Sequence, residues 1–366
     1  MVMHWLITGG CGFIGRSLIK NLVDEGGHDI LVLDNLKVGS REDLGQVCQF
    51  EELSVKDLAA RNFSGGSVQL VVGDILDKDL ALEVARGRDV IVHLAANTGV
   101  LPSVQDPRMD CENNVLGTLN YLEAARQAKV KRFVFASSGA PAGEVEPPIH
   151  EELPPHPVSP YGASKLAGEG YCSAYYRTFG VETVCLRFGN VYGPFSGKKD
   201  SVVAKFIKRA ISGEPLEIYG DGKQTRDFIY IQDLIQAIRL GAFGEVRSEE
   251  VRSGEEGREE GGKEEEEEMR DEGGRSGRFE KKKVAGETFQ IATNQETTIS
   301  ELVELLLPIL RRRGFENIEV GFGEKRQGDV MRNFSDTSKA RDVLGWKCEE
   351  DLESGLEKTV AWFLGR

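Results

Sequence analysis

Short apolar segments alternate with longer amphipathic segments along the first half of the chain. The helical patterns cover about residues 13–25, 110–128 and 160–179, and the apolar segments are HWLIT, DILVLD, VQLVVGD, VIVHLAA, KRFVFASS and VETVCLRF. Apolar residues occupy both alternating positions of these segments, as in strands that are covered on both faces. The alternation therefore predicts βαβ units, with a parallel sheet between two layers of helices.

The pattern changes after the last of these strands, because the elements become shorter and the loops become rich in glycine and proline. We expect residues 1–188 to form a sheet domain to which two later segments return, about 221–243 and 284–293. Residues 189–220 and 294–366 are expected to form mainly a smaller C-terminal α/β lobe.

One segment, residues 245–283, belongs to neither part. It contains 15 acidic residues, 10 basic residues and seven glycines, and almost nothing apolar. Such a segment buries too little surface to offset the entropy lost on ordering. We interpret it as a disordered, solvated surface insertion, and binding of a partner is the alternative.

Composition limits the classes of ligand. With 366 residues, of which 40% are hydrophobic, the chain is long enough for a large core, and its net charge of −14 argues against general affinity for nucleic acid or anionic membranes. No apolar run approaches the roughly 20 residues that span a bilayer, and the start of the chain does not resemble a secretory leader. We expect a cytoplasmic protein with no metal site, in which the six scattered cysteines are reduced thiols.

A glycine-rich segment, ITGGCGFIG, follows the first predicted strand and opens the first predicted helix. It matches G-x-G-x-x-G with Gly10, Gly12 and Gly15, and also G-x-x-G-x-x-G with Gly9 in place of Gly10. Glycines allow a tight turn and let main-chain N–H groups approach a diphosphate at the positive end of a helix. In this strand-turn-helix context the motif predicts dinucleotide binding.

Two aspartates end the next strands. Asp34 lies 19 residues after Gly15, where a carboxylate accepts hydrogen bonds from both ribose hydroxyls and repels a 2'-phosphate, so that NAD is favoured over NADP. Asp74 is placed to meet the adenine, and a turn-initiating aspartate is the alternative interpretation.

The segment SPYGASKLAGE supplies candidate chemistry, because Tyr161 and Lys165 lie four residues apart on one face of a helix. A phenol has a pKa near 10, and an adjacent ammonium together with a positively charged nicotinamide is expected to lower it. Tyr161 is therefore the candidate base. Ser138, at the end of a strand, can donate and accept a hydrogen bond at once, as a proton relay requires, and Ser137 is the alternative.

These motifs, together with LVLDN, GDILD, HLAA, NNVLGT, LRFGNVYGP, YGDGKQTRDFIYIQDL and RQGDV, resemble those of the extended short-chain dehydrogenase/reductase family. Within that family the chain is most similar to NAD-dependent nucleotide-sugar epimerases of the UDP-glucose 4-epimerase type. The resemblance covers nearly the whole chain except the acidic insertion. It implies a Rossmann-type, doubly wound parallel sheet with a smaller C-terminal substrate lobe.

The resemblance also implies roles for particular residues. Ser138, Tyr161 and Lys165 would be catalytic. The NAD-binding residues would be Gly9, Gly12, Phe13, Ile14, Gly15, Asp34, Asn35, Gly39, Asp74, Ile75, Leu94, Ala95, Ala96, Asn114, Tyr161, Lys165 and Phe188.

The substrate would be a UDP-sugar. Arg226 and Arg326 match positions that clamp its diphosphate, although an isolated arginine is more often a solvated surface residue. Tyr219 and Asp329 would border the base and ribose, and Ser138 would bind the sugar. Asn190 would donate to the phosphates or cap a loop, and Asn333 would lie at the sugar pocket.

The reaction expected from this resemblance is inversion of C4 through a transient 4-keto sugar. Relatives that dehydrate or decarboxylate the oxidised sugar carry acidic side chains within two positions of the catalytic hydroxyl, and here those positions are Gly139 and Ala140. Relatives also have V-Y-G where this chain has Pro141, Ala142 and Gly143, and we expect the missing aromatic ring to leave room beside the sugar.

The substrate expected first is UDP-glucose or UDP-galactose, with UDP-N-acetylhexosamine and UDP-uronate as alternatives. A reductase or dehydrogenase and a non-catalytic NAD-binding scaffold are the other functions considered. A homodimer that pairs the helices near 110–128 and 160–179 is expected from the resemblance.

Overall fold

The computed structural model of the protein describes residues 3–60, 65–243, 284–324 and 330–365. The predicted insertion at 245–283 lies outside these ranges, and so do Arg326 and Asp329. None of the described helices combines the length and the apolar character that crossing a bilayer requires.

The predicted strands are present and lie in one parallel sheet, to which two further strands are added at its edges. The described residues form the strands β1 (His4–Thr8), β2 (Asp29–Asp34), β3 (Glu51–Glu52), β4 (Val68–Val72), β5 (Val90–His93), β6 (Arg132–Ser138), β7 (Thr183–Phe188), β8 (Asn190–Tyr192), β9 (Leu216–Tyr219), β10 (Thr225–Arg226), β11 (Phe228–Tyr230), β12 (Glu287–Ile291), β13 (Thr297–Thr298) and β14 (Val320–Gly323).

Eight of these strands form the main sheet in the order β12-β7-β6-β5-β1-β2-β4-β3. All of its pairs are parallel. The chain runs outward from β1 through β2, and then crosses to β5 on the other side of β1. Ligands of open parallel sheets bind at the carboxyl ends of the strands, where the order reverses. In this sheet that point lies between β1 and β5.

Helices cover both faces of the sheet. The helices are α1 (Phe13–Glu25), α2 (Arg41–Gly45), α3 (Lys78–Ala85), α4 (Val100–Gln105), α5 (Pro107–Cys111), α6 (Gly117–Ala128), α7 (Pro160–Phe179), α8 (Val202–Ile211), α9 (Ile231–Phe243), α10 (Ile299–Arg312) and α11 (Leu352–Phe363). Helices α1 and α9 pack together on one face, and α3, α6 and α7 pack on the other.

The apolar strands contribute side chains to two hydrophobic cores, one on each face of the sheet. Alternate residues of β1 separate to the two faces, because Trp5 and Ile7 belong to the core beneath α1 and α9, whereas Leu6 belongs to the core beneath α6 and α7. Side chains of a strand point alternately to opposite faces of a sheet, which explains why these segments show no polar alternation. The doubly wound architecture predicted from the pattern is confirmed.

The C-terminal part of the chain adds smaller units beside the sheet. Strand β14 pairs in parallel with β9, and α10 packs against α11. Strand β12 returns to the main sheet and pairs with β7. The proposed division of the chain into two lobes by residue ranges stays a prediction.

The helix predicted near 110–128 is confirmed, and it contains a π-helical turn that the pattern did not predict. The chain forms α5, then a π-helical turn at Glu112–Leu116, and then α6. Single π turns of this kind frequently occur at functional sites. This turn contains Asn114, whose contacts are described below.

Two glycines of α7 offer a matched test of the packing between this helix and the sheet. A Cβ on Gly168 would lie 2.4 Å from Cζ of Phe135, whereas a Cβ on Gly170 would meet nothing within 4 Å. We expect Gly168→Ala to lower the free energy of unfolding by about 1–3 kcal/mol through overpacking. Gly170→Ala should raise it by up to about 1 kcal/mol through helix propensity.

Urea unfolding of the two variants and the parent protein measures both effects. Equal stabilisation by the two alanines would contradict the close packing of α7 on β6.

Candidate active site

The glycine-rich turn joins β1 to α1 and requires glycine at particular positions. Gly9 has a φ of +71°, and a Cβ there would lie 2.9 Å from the main-chain nitrogen of Ala95, at the end of β5. A Cβ on Gly15 would lie 2.5 Å from Cα of Gly10. The turn is therefore packed between β1, α1 and the segment after β5.

The N-terminus of α1 presents main-chain donors that the described residues leave without a side-chain cap. Gly12 is the N-cap residue, and neither a capping side chain nor an acidic residue of the first turn satisfies these donors. A Cβ at Gly12 would approach only the carbonyl oxygen of Gly9, at 3.2 Å. The open space and the uncapped N–H groups fit the diphosphate of a dinucleotide.

Asp34 lies beside this turn, as the sequence predicted. Its side chain is buried, and its two oxygens accept hydrogen bonds of 2.9 Å from the main-chain N–H groups of Cys11 and Leu36. Burial raises the pKa of Asp34, and the two hydrogen bonds oppose this effect. A carboxylate oxygen accepts more than one hydrogen bond, so the remaining lone pairs suit ribose hydroxyls.

The loop after β2 also lies on the turn. A Cβ on Gly39 would lie 2.2 Å from the carbonyl oxygen of Cys11. Asn35 donates a hydrogen bond of 3.1 Å to Asp74, which also accepts from the main-chain N–H of Leu76 at 3.1 Å. The hydrogen bond from Leu76 shows that Asp74 initiates a turn, which was the alternative interpretation of this residue. Contact of Asp74 with adenine stays a prediction.

The remaining predicted cofactor residues differ in their exposure. Leu94, Ala95 and Ala96 follow β5, and Ala95 donates from its main-chain nitrogen to the Thr8 hydroxyl at 3.2 Å. Ile75 is instead buried, against the position where Gly117 lacks a side chain. Its side chain therefore belongs to the core, and a cofactor contact by Ile75 would have to come from its main chain.

The side chain of Asn114 forms hydrogen bonds with other residues of the protein around the site. Its side-chain oxygen accepts from the main-chain N–H of Asn97 at 2.8 Å, and its nitrogen donates to Asn97 O, Asp110 Oδ1 and Ser164 Oγ at 3.0–3.1 Å. The π turn thus holds the segment after β5 against α7. Direct contact of Asn114 with the cofactor stays a prediction.

Helix α7 places the candidate base and the lysine on one face. Ser159 caps the helix by accepting a hydrogen bond of 3.1 Å from the Gly162 N–H, and Pro160 occupies the first turn. Lys165 is buried, and its Nζ donates to the carbonyl oxygen of Ala136 at 2.8 Å. The same nitrogen lies 5.9 Å from the centre of the Tyr161 ring.

Burial shifts the pKa values of Tyr161 and Lys165 in opposite directions. Burial raises the pKa of Tyr161 to about 12, a hydrogen bond from Ser138 lowers it, and Asp110 raises it. Lys165 is not among these causes, and its ammonium donates to the carbonyl of Ala136. Lowering of the Tyr161 pKa by Lys165 together with a bound nicotinamide stays a prediction. Burial also lowers the pKa of Lys165 to about 8, against the opposing charges of Asp110 and Glu169.

The structure separates the roles of the two neighbouring serines. The Ser137 hydroxyl donates to Oε1 of buried Glu169 at 2.5 Å. The Ser138 hydroxyl instead accepts from the Ala140 N–H at 3.2 Å and hydrogen-bonds Tyr161. Ser138 is therefore the serine that faces the candidate base.

Two buried acids of this region were missed by the sequence analysis. Glu169 forms a buried ion pair with Arg187, which donates to both of its oxygens at 2.7–2.8 Å. Glu169 lies one turn beyond Lys165 on the same helix face, so the helical spacing contained a signal for it. Asp110 lies four residues before Asn114, and no motif in the sequence singled it out.

Two of the predicted substrate residues, Asn333 and Arg226, are connected through the segment that begins at residue 330. The amide of Asn333 lies 3.8–3.9 Å from where a Cβ of Gly139 would be, so this amide lies at the predicted sugar pocket. Arg226 donates to the carbonyl oxygens of Thr225 and Val330 at 2.6 and 2.8 Å. It thereby ties β10 to the segment that carries Asn333.

Tyr219 and Asn190 are placed by other contacts. The Tyr219 hydroxyl accepts a hydrogen bond of 3.0 Å from Lys205, and the main-chain N–H of Asn190 donates to Asp227 O at 2.7 Å. Phe188 ends β7, and its carbonyl oxygen accepts from the Gly139 N–H at 3.3 Å. The roles of these residues toward a ligand stay predictions.

The space expected beside the sugar at Ala142 is corrected. Ala142 is 2% exposed, its N–H donates to Gly139 O at 3.2 Å, and its carbonyl accepts from the His156 N–H at 3.0 Å. The segment closes on itself through these bonds. The small side chain is thus part of a packed turn.

Comparisons with known proteins agree with this geometry. Residues 5–243 match the model of the NAD dependent epimerase/dehydratase family. The putative UDP-glucose 4-epimerase of Methanocaldococcus jannaschii is 32% identical over 98% of this chain and 97% of its own.

Solved structures agree along the whole chain as well. The UDP-glucose 4-epimerase of Thermotoga maritima, solved with UDP-glucose, is 30% identical over 99% of both chains, with a TM-score of 0.78. The UDP-N-acetylglucosamine 4-epimerase of Methanobrevibacter ruminantium is 27% identical over 99% of this chain and 98% of its own, also with a TM-score of 0.78. The chain therefore belongs to the NAD dependent epimerase/dehydratase family, as an NAD-dependent enzyme of the nucleotide-sugar 4-epimerase type.

Proposed function

We propose that the protein inverts C4 of a UDP-sugar through a transient 4-keto sugar, with UDP-glucose and UDP-galactose as its substrates. The observation that supports this proposal is the convergence of Ser138, Tyr161 and Lys165 at the carboxyl end of β6. NAD, when bound, supplies a reversible hydride acceptor and a positive charge near the phenol. It would be held by the uncapped N-terminus of α1, by Asp34 and by the segment after β5.

The side chains of this site have a single task, which is to move one proton. Tyr161 takes the proton of the C4 hydroxyl and later returns it, and Ser138 bridges the sugar hydroxyl and the phenol. A hydroxyl suits this bridge because it donates and accepts at once. Lys165 is held by the Ala136 carbonyl at the same strand end, where its charge favours the phenolate.

The neighbours of Ser138 favour epimerisation over dehydration. The family includes dehydratases as well as epimerases, and elimination of a hydroxyl requires an additional acid at the sugar. Positions 139 and 140 carry glycine and alanine, and neither side chain transfers a proton. The groups that remain support removal and return of a hydride and a proton.

The choice of sugar rests on the Asn333 side of the site. The Asn333 amide lies less than 4 Å from where a Cβ of Gly139 would be, and an amide can hydrogen-bond an N-acetyl group or a carboxylate. A UDP-N-acetylhexosamine or a UDP-uronate is therefore the alternative substrate class. Similar proteins include epimerases named for both sugar classes, which are the UDP-N-acetylglucosamine 4-epimerase above and a UDP-glucuronate 4-epimerase.

Exposed apolar side chains on α4, the π turn and α7 support a homodimer. Leu101 of α4 is 65% exposed, Leu116 of the π turn is 49% exposed and Phe179 at the end of α7 is 52% exposed. Apolar side chains gathered on one face of a monomer commonly mark an interaction surface. Leu116 and Phe179 belong to the helices expected to pair, and Leu101 belongs to α4, which packs against α5 and α7.

The substrate proposal is tested with UDP-glucose, UDP-N-acetylglucosamine and UDP-glucuronate, each incubated with the purified protein without added NAD. We expect C4 inversion of UDP-glucose, followed by NMR of the sugar, with no net change in absorbance at 340 nm. Faster inversion of either other sugar would replace the proposed substrate. Stoichiometric release of NADH would instead identify a reductase or dehydrogenase.

The role of Tyr161 is tested through the pH dependence of kcat/KM. Because burial raises the pKa of Tyr161 to about 12, the base is mostly protonated at neutral pH, and kcat/KM should rise with pH on its acid limb. Lys165→Met should lower kcat/KM mainly below about pH 8, where the Lys165 ammonium is charged, because it removes a cation that favours the phenolate. Lys165→Arg should lower it less.

Tyr161→Phe is the control and should reduce turnover by at least about a thousandfold, with NAD content retained. Superimposable pH profiles of the parent and Lys165→Met would refute the role given to the lysine.

The homodimer is tested by sedimentation at several protein concentrations. Leu116→Glu should shift the mass to that of a monomer, because it buries a charge in the apolar interface. Val55→Glu, at a 50% exposed position outside these helices, should leave the mass of the parent unchanged. A parent protein that is monomeric at all concentrations would rule out this interface.

A further inference from the structure

The loop between β8 and α8 is anchored on the cofactor-binding half of the protein by the buried Arg16 and Asp43 and by the exposed Lys198. Arg16 of α1 donates to the carbonyl oxygen of Phe195 at 2.9 Å and pairs with Asp43 at 3.1 Å. Lys198 also pairs with Asp43, at 2.5 Å. The loop is thus attached to α1 and to the capping box of α2, although it is distant from both in sequence.

This anchoring brings the next residue, Lys199, to the start of α1. Its Nζ lies 5.5 Å from the ring centre of Phe13, the first residue of that helix. The same nitrogen donates to the carbonyl oxygen of Val191 at 3.0 Å. Lys199 is half-buried, so the loop holds its ammonium in a defined place beside the glycine-rich turn.

The charge of Lys199 has no carboxylate partner among the described residues. Burial is the sole cause that lowers its pKa, to about 8, and no described charged group contributes. A partly buried charge is costly unless an opposite charge accompanies it. The neighbouring lysine, in contrast, has Asp43 as its partner.

A diphosphate bound at the N-terminus of α1 would supply the missing anion. Gly12 leaves space at this end of the helix, and no capping side chain or first-turn acid of the described residues occupies it. We propose that the ammonium of Lys199 binds the diphosphate of NAD at this helix end. Lys199 would then be a cofactor-binding residue contributed by the loop after β8. It is not among the cofactor-binding residues predicted from the sequence.

The test measures NAD affinity directly, by equilibrium dialysis of the purified protein against NAD, with bound NAD quantified after acid release. We expect Lys199→Met to weaken NAD binding at least about tenfold, which corresponds to about 1.4 kcal/mol. Lys199→Arg keeps the positive charge and should remain within about threefold of the parent. The matched control is Lys20→Met, which removes an equally positive but solvent-exposed lysine of α1 and should leave NAD affinity unchanged.

A second measurement separates the two diphosphates that this region can meet. Calorimetric titration of the NAD-loaded protein with UDP should give the same affinity for Lys199→Met and the parent. Weakened UDP binding with unchanged NAD binding would overturn the assignment to the cofactor and would give the lysine to the nucleotide sugar. Unchanged affinity for both ligands would overturn the proposal altogether.

The thermal unfolding midpoint of each variant is measured as a control for correct folding. If Lys199→Met does not fold, Lys199→Gln replaces it. The proposal then requires that arginine retains NAD affinity and that glutamine loses it, whereas equal affinities of these two variants would refute it.

Discussion

The carboxylate of Glu169 joins the three elements on which the site depends. One oxygen accepts from Ser137 at the end of β6, and both oxygens accept from Arg187 on β7, while Glu169 itself belongs to α7. Removing one partner of a buried ion pair typically costs about 3–5 kcal/mol, because the other charge is left uncompensated. This pair therefore holds the helix that carries the base against the strand that carries the proton relay.

Charge is distributed unevenly between the whole protein and the site. The chain has a net charge of −14, yet cationic side chains lie where anionic ligands are expected. Lys165 is buried beside Tyr161, and Lys199 lies beside the first residue of α1. An acidic protein can bind dianionic ligands in this way, because partly desolvated cations act at short range whereas the dispersed surface charge is screened by salt.

Much of the fold and part of the site were predictable from local sequence. The alternation of apolar segments with helical segments predicted the doubly wound sheet, because strands covered on both faces are apolar throughout. The spacing of Gly9, Gly12 and Gly15 predicted the turn, since steric limits on a tight turn are local. The separation of Tyr161 and Lys165 predicted a shared helix face. By contrast, the π turn within the helix near residue 114 was not predicted, because its contacts with Asn97 and Ser164 join segments distant in sequence.

The sequence by itself thus determined the elements, the cofactor turn and the pair of residues on α7, because each depends on periodicity or on steric demands within a few residues. Only the tertiary structure decided which of two adjacent serines faces the phenol, because the competing partner, Glu169, is 32 positions from Ser137. It also decided that Lys199 lies at Phe13. Such contacts arise when packing brings distant segments together, and the sequence near either residue contains no record of them.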